Sequence, residues 1–481
     1  MQLIYLLPYL IIVATLLMLL LLDAFTISST AINWFSIIGL IASAGASYYL
    51  LMISSNSGGI YIANNMLKLD RLTLVSNIII MGIATNIIIA SVQYIKNIAT
   101  SIGEYYSIFL VAILGIMIMI AADHVLMLYL GLEALSLALL GLIVFKQQSN
   151  SIEAAMKFFI LNAVASSVML FGVSILYLAT KGSLYLSDIN QTILNGNSML
   201  NLTALACVLI LTGIFFKFGI FPFHTWLPDV YQSSPYNSLL LIATIGKVAA
   251  TIFAVRFIYS GLYGLMFLWQ PIMLFLGLAS IAFGNIVALA QTNIKRLLGY
   301  SAIANSGFII LAIAMASPNA VSIAMFYILS YSLSLMIILI VLMIISQQSK
   351  VEIEKLWQLQ GLYKQHQALA ALFALSMFAV AGLPPLLGFF AKLSVIQQLI
   401  FYNHYQLTIL LVLLSLIGTF VYLRVVKTIY FMSPSNTVVK KHRYKISIFT
   451  YFILIKSAVL LILLSILPNY LFTLLMNIFK I

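Results

Sequence analysis

The chain has 481 residues, 64% of them hydrophobic and 7% charged, with a net charge of +13. No soluble domain has this composition: apolar runs of about 18 residues or more, each enough to cross a ~30 Å hydrocarbon core as a helix, recur from end to end. They lack the two-residue alternation of barrel strands, so the fold class is all-α, a polytopic membrane protein of about 14 transmembrane helices.

The spans have approximate cores at 3–22, 32–53, 72–92, 105–121, 125–145, 155–179, 202–221, 237–260, 265–290, 300–316, 320–346, 368–400, 407–431 and 447–475. The first run has no basic segment before it and no small-residue cleavage site before Asp23, so it reads as a retained helix rather than a signal sequence. The longest polar linkers are 186–201, 347–367 and 433–444.

Basic loop residues give the orientation. Lys96, Lys146, Lys295, Arg296, Lys350, Lys355, Lys364, Lys440, Lys441, Arg443 and Lys445 collect on one side. Lys68, Arg71, Lys181 and Lys480 collect on the other, with Arg256 near a helix end. The positive-inside rule puts the first set in the cytoplasm and both termini on the periplasmic side of a cell inner membrane. An organellar membrane is left open by composition. The net charge is thus a topology signal plus lysines inside the spans. With no aromatic-basic interleaving, the expected surroundings are membrane lipids and no nucleic acid. Cys207 is the single cysteine, which excludes a cysteine-ligated iron–sulfur cluster and an internal disulfide. The histidines show no metal-ligand spacing.

Two spans are interrupted. The seventh runs into F-K-F-G-I-F-P-F-H-T-W-L-P, and the twelfth contains A-G-L-P-P-L-L-G-F-F-A-K. Proline removes a backbone donor and clashes with the preceding turn, so each helix breaks there, beside Lys217 and Lys392. The breaks are an odd number of spans apart, so equivalent helices run in opposite directions. This predicts two inverted five-helix repeats in one membrane domain, 1–481: a three-helix segment 1–100, a first repeat 104–260 (helices 4–8), a second 264–432 (helices 9–13), and a loop with the last helix, 433–481. Ordinary proline kinks are the simpler alternative.

Five ionisable residues lie inside apolar runs: Glu133, Lys157, Lys217, Lys247 and Lys392. A charge at the centre of a membrane helix costs roughly 2.5–3.5 kcal/mol on insertion scales, so such residues mark function or a structural ion pair. Glu133 lies about 12 Å into its span and must pair or protonate. Lys217 precedes the first break by one turn, Lys247 has small neighbours in A-T-I-G-K-V-A-A, and Lys392 follows the second break. None is near enough to an end to snorkel easily. Lys157 is weaker, because it follows Glu153 by four residues, a routine helix pair. His224 and Asp229 flank the first break; a histidine there could pass protons or sit at an interface. Lys295 and Arg296 read as a cytoplasmic loop anchor. Tyr300, Ser301 and Ser306 read as packing. A line of desolvated lysines, linked by water and biased by a nearby carboxylate, can hand a proton along.

The segments G-L-E-A-L-S-L (131–137), F-K-F-G-I-F-P-F-H-T-W-L-P-D-V-Y (216–231), A-Q-T-N-I-K-R-L-L-G-Y-S (290–301) and A-G-L-P-P-L-L-G-F-F-A-K (381–392) resemble the antiporter-like membrane subunits of respiratory complex I, NADH-quinone oxidoreductase. The resemblance covers nearly the whole chain. S-I-E-A-A-M-K-F (151–158) and the absence of a long C-terminal lateral helix favour the subunit N type. It implies a proton-pumping subunit whose key residues fall on Glu133, Lys217, Lys247 and Lys392, with Lys157 also at a family lysine. It implies no cofactor in this chain, with FMN, iron–sulfur clusters and quinone in other subunits. It implies as partners a neighbouring antiporter-like subunit and small membrane subunits. One stretch departs from the family: after D-V-Y, the run Q-S-S-P-Y-N-S-L-L (232–240) replaces a Gly-Ala-Pro-type turn and a Pro-Val pair. Related alternatives are an Mrp-type cation/proton antiporter and a hydrogenase-linked subunit. A passive scaffold is disfavoured by the filled ionisable positions, and an unrelated transporter by the lack of a polar substrate pocket.

Overall fold

A computed structural model describes residues 2–25, 28–53, 59–98, 101–196, 199–349, 352–433 and 447–479. Lys350, Lys440, Lys441, Arg443, Lys445 and Lys480, which weigh in the orientation argument, lie outside these residues.

The helices in chain order are α1 (Gln2–Tyr5), α2 (Leu7–Ala24), α3 (Ser29–Ile53), α4 (Arg71–Ile98), α5 (Ile102–Ala121), α6 (Val125–Val144) and α7 (Ser149–Ala179). There follow α8 (Leu186–Leu194), α9 (Leu200–Phe218), α10 (Trp226–Ser233), α11 (Tyr236–Ala243), α12 (Ile245–Val255), α13 (Met266–Ala290) and α14 (Ile294–Ala314). The rest are α15 (Ala320–Ser349), α16 (Leu362–Gln365), α17 (Gln367–Ala381), α18 (Leu387–Phe401), α19 (Tyr405–Phe431), α20 (Ile448–Ile466) and α21 (Pro468–Ile478). Among the described residues thirteen helical segments are long and apolar enough to cross a membrane. The shorter α17 and α18 together occupy the place of the twelfth predicted span. The chain is a multi-pass helical membrane protein.

Two features differ from the sequence reading: a strand hairpin and a helix within a linker. Strands β1 (Ile60–Ile62) and β2 (Leu67–Leu69) form an antiparallel hairpin, Ile60 opposite Leu69. Its turn holds Ala63, Asn64 and Asn65 at positive φ, a conformation asparagine tolerates better than most residues. The linker read as polar after the sixth span contains α8, which buries Leu186, Ile189 and Ile193 on one face.

The described chain divides into two compact units, Met1–Lys217 with Val248–Trp269, and Phe218–Lys247 with Gln270–Ile481. In the first, α5 and α6 pack almost backbone to backbone: a Cβ on Gly131 would lie 2.6 Å from the Met119 nitrogen. Small residues at such crossings let membrane helices approach closely. This contact sets the rotation of α6. In the second unit the same device joins α13 to α14, where a Cβ on Gly307 would lie 2.5 Å from the Gly277 carbonyl oxygen. Helices α14 and α15 form the buried middle of this unit, packed against α10, α11, α17, α18 and α20.

Candidate functional site

In the first unit, Glu133 and Ser136 share one face of α6, three residues apart, and Asn162 and Ser166 share one face of α7. Lys217 is the penultimate residue of α9. These five side chains meet. Ser166 donates a short hydrogen bond to Glu133 Oε1, and Asn162 Nδ2 donates to Glu133 Oε2 at 3.5 Å. Lys217 Nζ donates to Asn162 Oδ1 at 2.8 Å and makes a short bond to Ser136 Oγ. The Asn162 amide therefore bridges carboxylate and ammonium, its NH₂ toward one and its oxygen toward the other. Only this orientation of the amide satisfies both charges. Hydrogen-bonded partners are what make a buried charge tolerable.

Two further lysines within the apolar helices, Lys247 and Lys392, lie in the second unit and share one arrangement. Lys247 is 3% exposed. Its Nζ makes a short bond to the carbonyl oxygen of Phe218, the last residue of α9, and donates to Ser306 Oγ at 3.0 Å. Ser306 donates to the same Phe218 oxygen at 3.1 Å. Lys392 Nζ donates at 2.7 Å to the carbonyl oxygen of Ala381, the last residue of α17. Each ammonium thus sits on a carbonyl freed at the C-terminus of a helix, where the helix dipole favours positive charge. The next residues are Gly219 (φ 62) and Gly382 (φ 82), both left-handed, the conformation with which glycine most readily ends a helix. Prolines follow at 222 and at 384–385 and stop the helix from resuming.

The helix carrying Lys247 is also interrupted. Thr244, with ψ −77°, separates α11 from α12. Its hydroxyl bonds back to the Leu240 carbonyl at 2.6 Å. No proline marks this break; Thr244 and Gly246 are the only local signal, and sequence reasoning missed it.

The remaining predicted residues are placed as follows. Lys157 lies on the outer face of α7, paired with Glu153 at 2.8 Å, with side-chain exposures of 51% and 65%. His224 is buried against Phe221 and Phe283, ring centroids 5.7 and 4.4 Å away. Asp229 bonds to Arg296 at 2.6 Å.

Two readings are corrected. Lys295 is not a loop residue: it belongs to α14, is 1% exposed, and pairs with Glu352. Its Nζ also donates to the Ser234 carbonyl at 2.9 Å and lies over the Tyr236 ring. The stretch that departs from the family pattern therefore supplies this lysine's seat. Ser306, read as packing, is a direct partner of Lys247. Arg256 does stand at a helix end, directly after α12; there it is buried in the first unit and donates to both Asp70 oxygens at 2.9 and 3.1 Å, and to Thr73 at 2.7 Å. Sequence spacing could not pair Arg256 with a residue 186 positions away.

A family model described as NADH:quinone oxidoreductase/Mrp antiporter, TM, matches residues 122–418, a stretch holding all the residues above except Asp70 and Thr73. The NADH-quinone oxidoreductase subunit N of Nitrosomonas europaea is 39% identical over 378 residues, 78% of each chain. That of Methylovorus glucosotrophus is 36% identical over 438 residues, 90% of each chain. Among solved structures, a chain of respiratory complex I from Thermus thermophilus with bound aureothin aligns with a TM-score of 0.80 at 27% identity, covering 97% of this chain and 98% of that one. A chain of the Mrp complex from Dietzia aligns with a TM-score of 0.87 at 17% identity, over 99% and 97%, a likeness of fold alone. The chain belongs to the NADH:quinone oxidoreductase/Mrp antiporter family of membrane subunits.

Proposed function

We propose that this chain is a proton-translocating membrane-arm subunit of an NADH-quinone oxidoreductase, of the subunit N type. The observation that carries this reading is the Glu133–Asn162–Lys217 bridge: an acid and a base held in one hydrogen-bonded set inside apolar helices. While Glu133 is charged it holds Lys217 as the ammonium. Weakening that hold, by moving or protonating the carboxylate, frees a proton from Lys217. Lys247 and Lys392 take it up in turn, each steadied as a cation by a half-helix C-terminus. The energy comes from electron transfer between NADH and quinone in the assembled enzyme. FMN, the iron–sulfur clusters and the quinone belong to its other subunits, and this chain binds none.

The neighbours in the assembly are another antiporter-like subunit, small membrane subunits and lipid. The location is a bacterial inner membrane with both termini on the periplasmic side. Two inverted repeats, 104–260 and 264–432, account for the like breaks at Gly219 and Gly382 and for the like glycine crossings of α5–α6 and α13–α14. Lys157 and His224 have supporting roles in proton passage, Lys157 at the outer face.

The other reading is an Mrp-type antiporter. Identity decides against it: 36–39% to the two subunit N relatives, against 17% to the Mrp chain. Purification of the tagged chain from its native membrane distinguishes the two. NADH-quinone reductase activity and flavin-bearing subunits are expected to copurify; recovery with antiporter subunits alone, and no NADH oxidation, overturns the proposal.

A further inference from the structure

The stretch from Phe218 to Lys247, all of it in the second unit, is closed on itself. Its first carbonyl, on Phe218, accepts from its last side chain, Lys247. Ser306 of α14 donates to the same oxygen at 3.1 Å and accepts from Lys247 Nζ at 3.0 Å. Both ends of the stretch are therefore held at one residue of α14, and the middle is held at another. Lys295, eleven positions before Ser306, lies three turns away on the same face of α14. Its Nζ donates at 2.9 Å to the carbonyl oxygen of Ser234, the C-cap of α10. The next residue, Arg296, donates to Asp229 Oδ1 at 2.6 Å and to Gln232 Oε1 at 3.1 Å, both on α10. Gly299, one turn on, lets the two backbones close: a Cβ there would lie 3.0 Å from Pro228 Cα.

Lys295 is itself fixed from a third element. It pairs with Glu352, and its Nζ lies 4.3 Å from the centre of the Tyr236 ring, whose hydroxyl donates to the Ile353 carbonyl at 2.5 Å. The strip 352–356 is stitched down in turn. Ile353 N donates to Ser346 Oγ at 3.0 Å, Ile294 N to the Glu354 carbonyl at 2.7 Å and Leu356 N to the Thr292 carbonyl at 2.9 Å.

The geometry points to Lys295 as a positioning residue for Lys247, with Glu352 as its counter-ion. From the corner at Ser234, α11 runs eight residues, about 12 Å, to the break at Thr244, and Lys247 follows three residues later. A corner that slips along α14 carries α11 with it and shifts the Lys247 ammonium off the Phe218 carbonyl and Ser306. A corner that is held keeps Lys247 within hydrogen-bond distance of both, and proton hand-over depends on that alignment. Lys295 keeps its charge throughout and passes no proton. A buried ion pair adds little net stability over apolar residues, because desolvation offsets the attraction; its contribution here is the fixed position. This role rests on the reading of Lys247 as a relay lysine.

The test uses the whole complex in proteoliposomes. Lys295→Met combined with Glu352→Gln removes both charges together, so neither is left buried alone. The expected result is an assembled complex whose coupled NADH-quinone turnover falls about tenfold or more. The same two changes added to Lys247→Ala are expected to lower turnover no further, because residues that act as one unit are not additive. Lys295→Arg keeps the cation and cannot release its proton, so it is expected to restore turnover. Wild-type turnover in the paired variant, an equal further loss in the Lys247→Ala background, or an arginine variant as slow as the paired one overturns this inference and leaves the relay reading standing. Wild-type turnover in Lys247→Ala itself overturns the relay reading and this role with it. Should the paired variant not assemble, Tyr236→Phe decides, since it removes only the hydroxyl that ties the corner to Ile353. A loss of about twofold or more is expected, absent when Lys247 is already alanine; wild-type turnover in Tyr236→Phe overturns the inference.

Discussion

Asn162 is the residue on which the first cluster turns. It is neutral, yet it touches both Glu133 and Lys217. Replacing it with Leu keeps much of the volume and leaves both charges short of a partner. Assembly is expected to persist while coupled quinone reduction drops about tenfold or more, measured as NADH-quinone reductase activity in proteoliposomes; wild-type turnover would contradict the bridge. Lys392→Arg tests the need for a neutral form, since arginine does not deprotonate in proteins. Impaired pumping is expected, and an arginine variant that pumps normally would mean that Lys392 never gives up its proton. The four central ionisable residues were legible in the sequence because a charge in an apolar run is costly and therefore conspicuous. Asn162, Ser166 and Ser306 were not, because neutral polar residues are ordinary in membrane helices and their pairing depends on three-dimensional neighbours.

The elements around the lysines repeat one construction: a helix end, a left-handed glycine, then proline. A Cβ on Gly382 would lie 2.8 Å from Lys392 Cδ, and the φ of 82° adds backbone strain. Gly382→Ala is expected to displace Lys392 and lower pumping. Gly196→Ala, at φ 68° with nothing within 4 Å, pays only the strain and is expected to pump normally. Equal pumping by the two variants would show that the seat of Lys392 does not depend on that turn. Both proline-marked breaks were legible from local chemistry. The Thr244 break was not, because threonine and glycine within a helix usually do no more than weaken it. The hairpin was missed for another reason: I-Y-I and L-K-L alternate correctly around Asn64–Asn65, but each strand is only three residues long in a chain dominated by helical runs.

At the scale of the whole molecule, each compact unit keeps its own buried charges, and long-range ion pairs tie distant stretches of chain. In the first unit, burial alone would raise the Asp70 pKa, but the Arg256 guanidinium and the Thr73 hydrogen bonds outweigh it and hold the carboxyl below its usual range. A depressed carboxylate pKa contributes stability that is complete above the unfolded value, near about 4, and is lost as pH falls through the folded value. The Asp70–Arg256 tie therefore holds throughout the neutral and mildly acidic range. Asp70→Asn strands a buried guanidinium and is expected to cost about 3 kcal/mol or more, seen as a lower melting temperature of the purified complex. An unchanged melting temperature would mean that Arg256 finds another partner. The number of spans was legible from length and hydropathy. The grouping of Phe218–Lys247 with the second unit was not, because chain order does not reveal which half of a broken helix packs where.

The central claim is that Lys217, Lys247 and Lys392 carry protons. Counting protons pumped per NADH oxidised, in proteoliposomes holding the complex with Lys247→Ala, tests it most directly. The account predicts a slowed turnover and fewer protons per NADH with the complex intact. Wild-type turnover with the full proton count would contradict it.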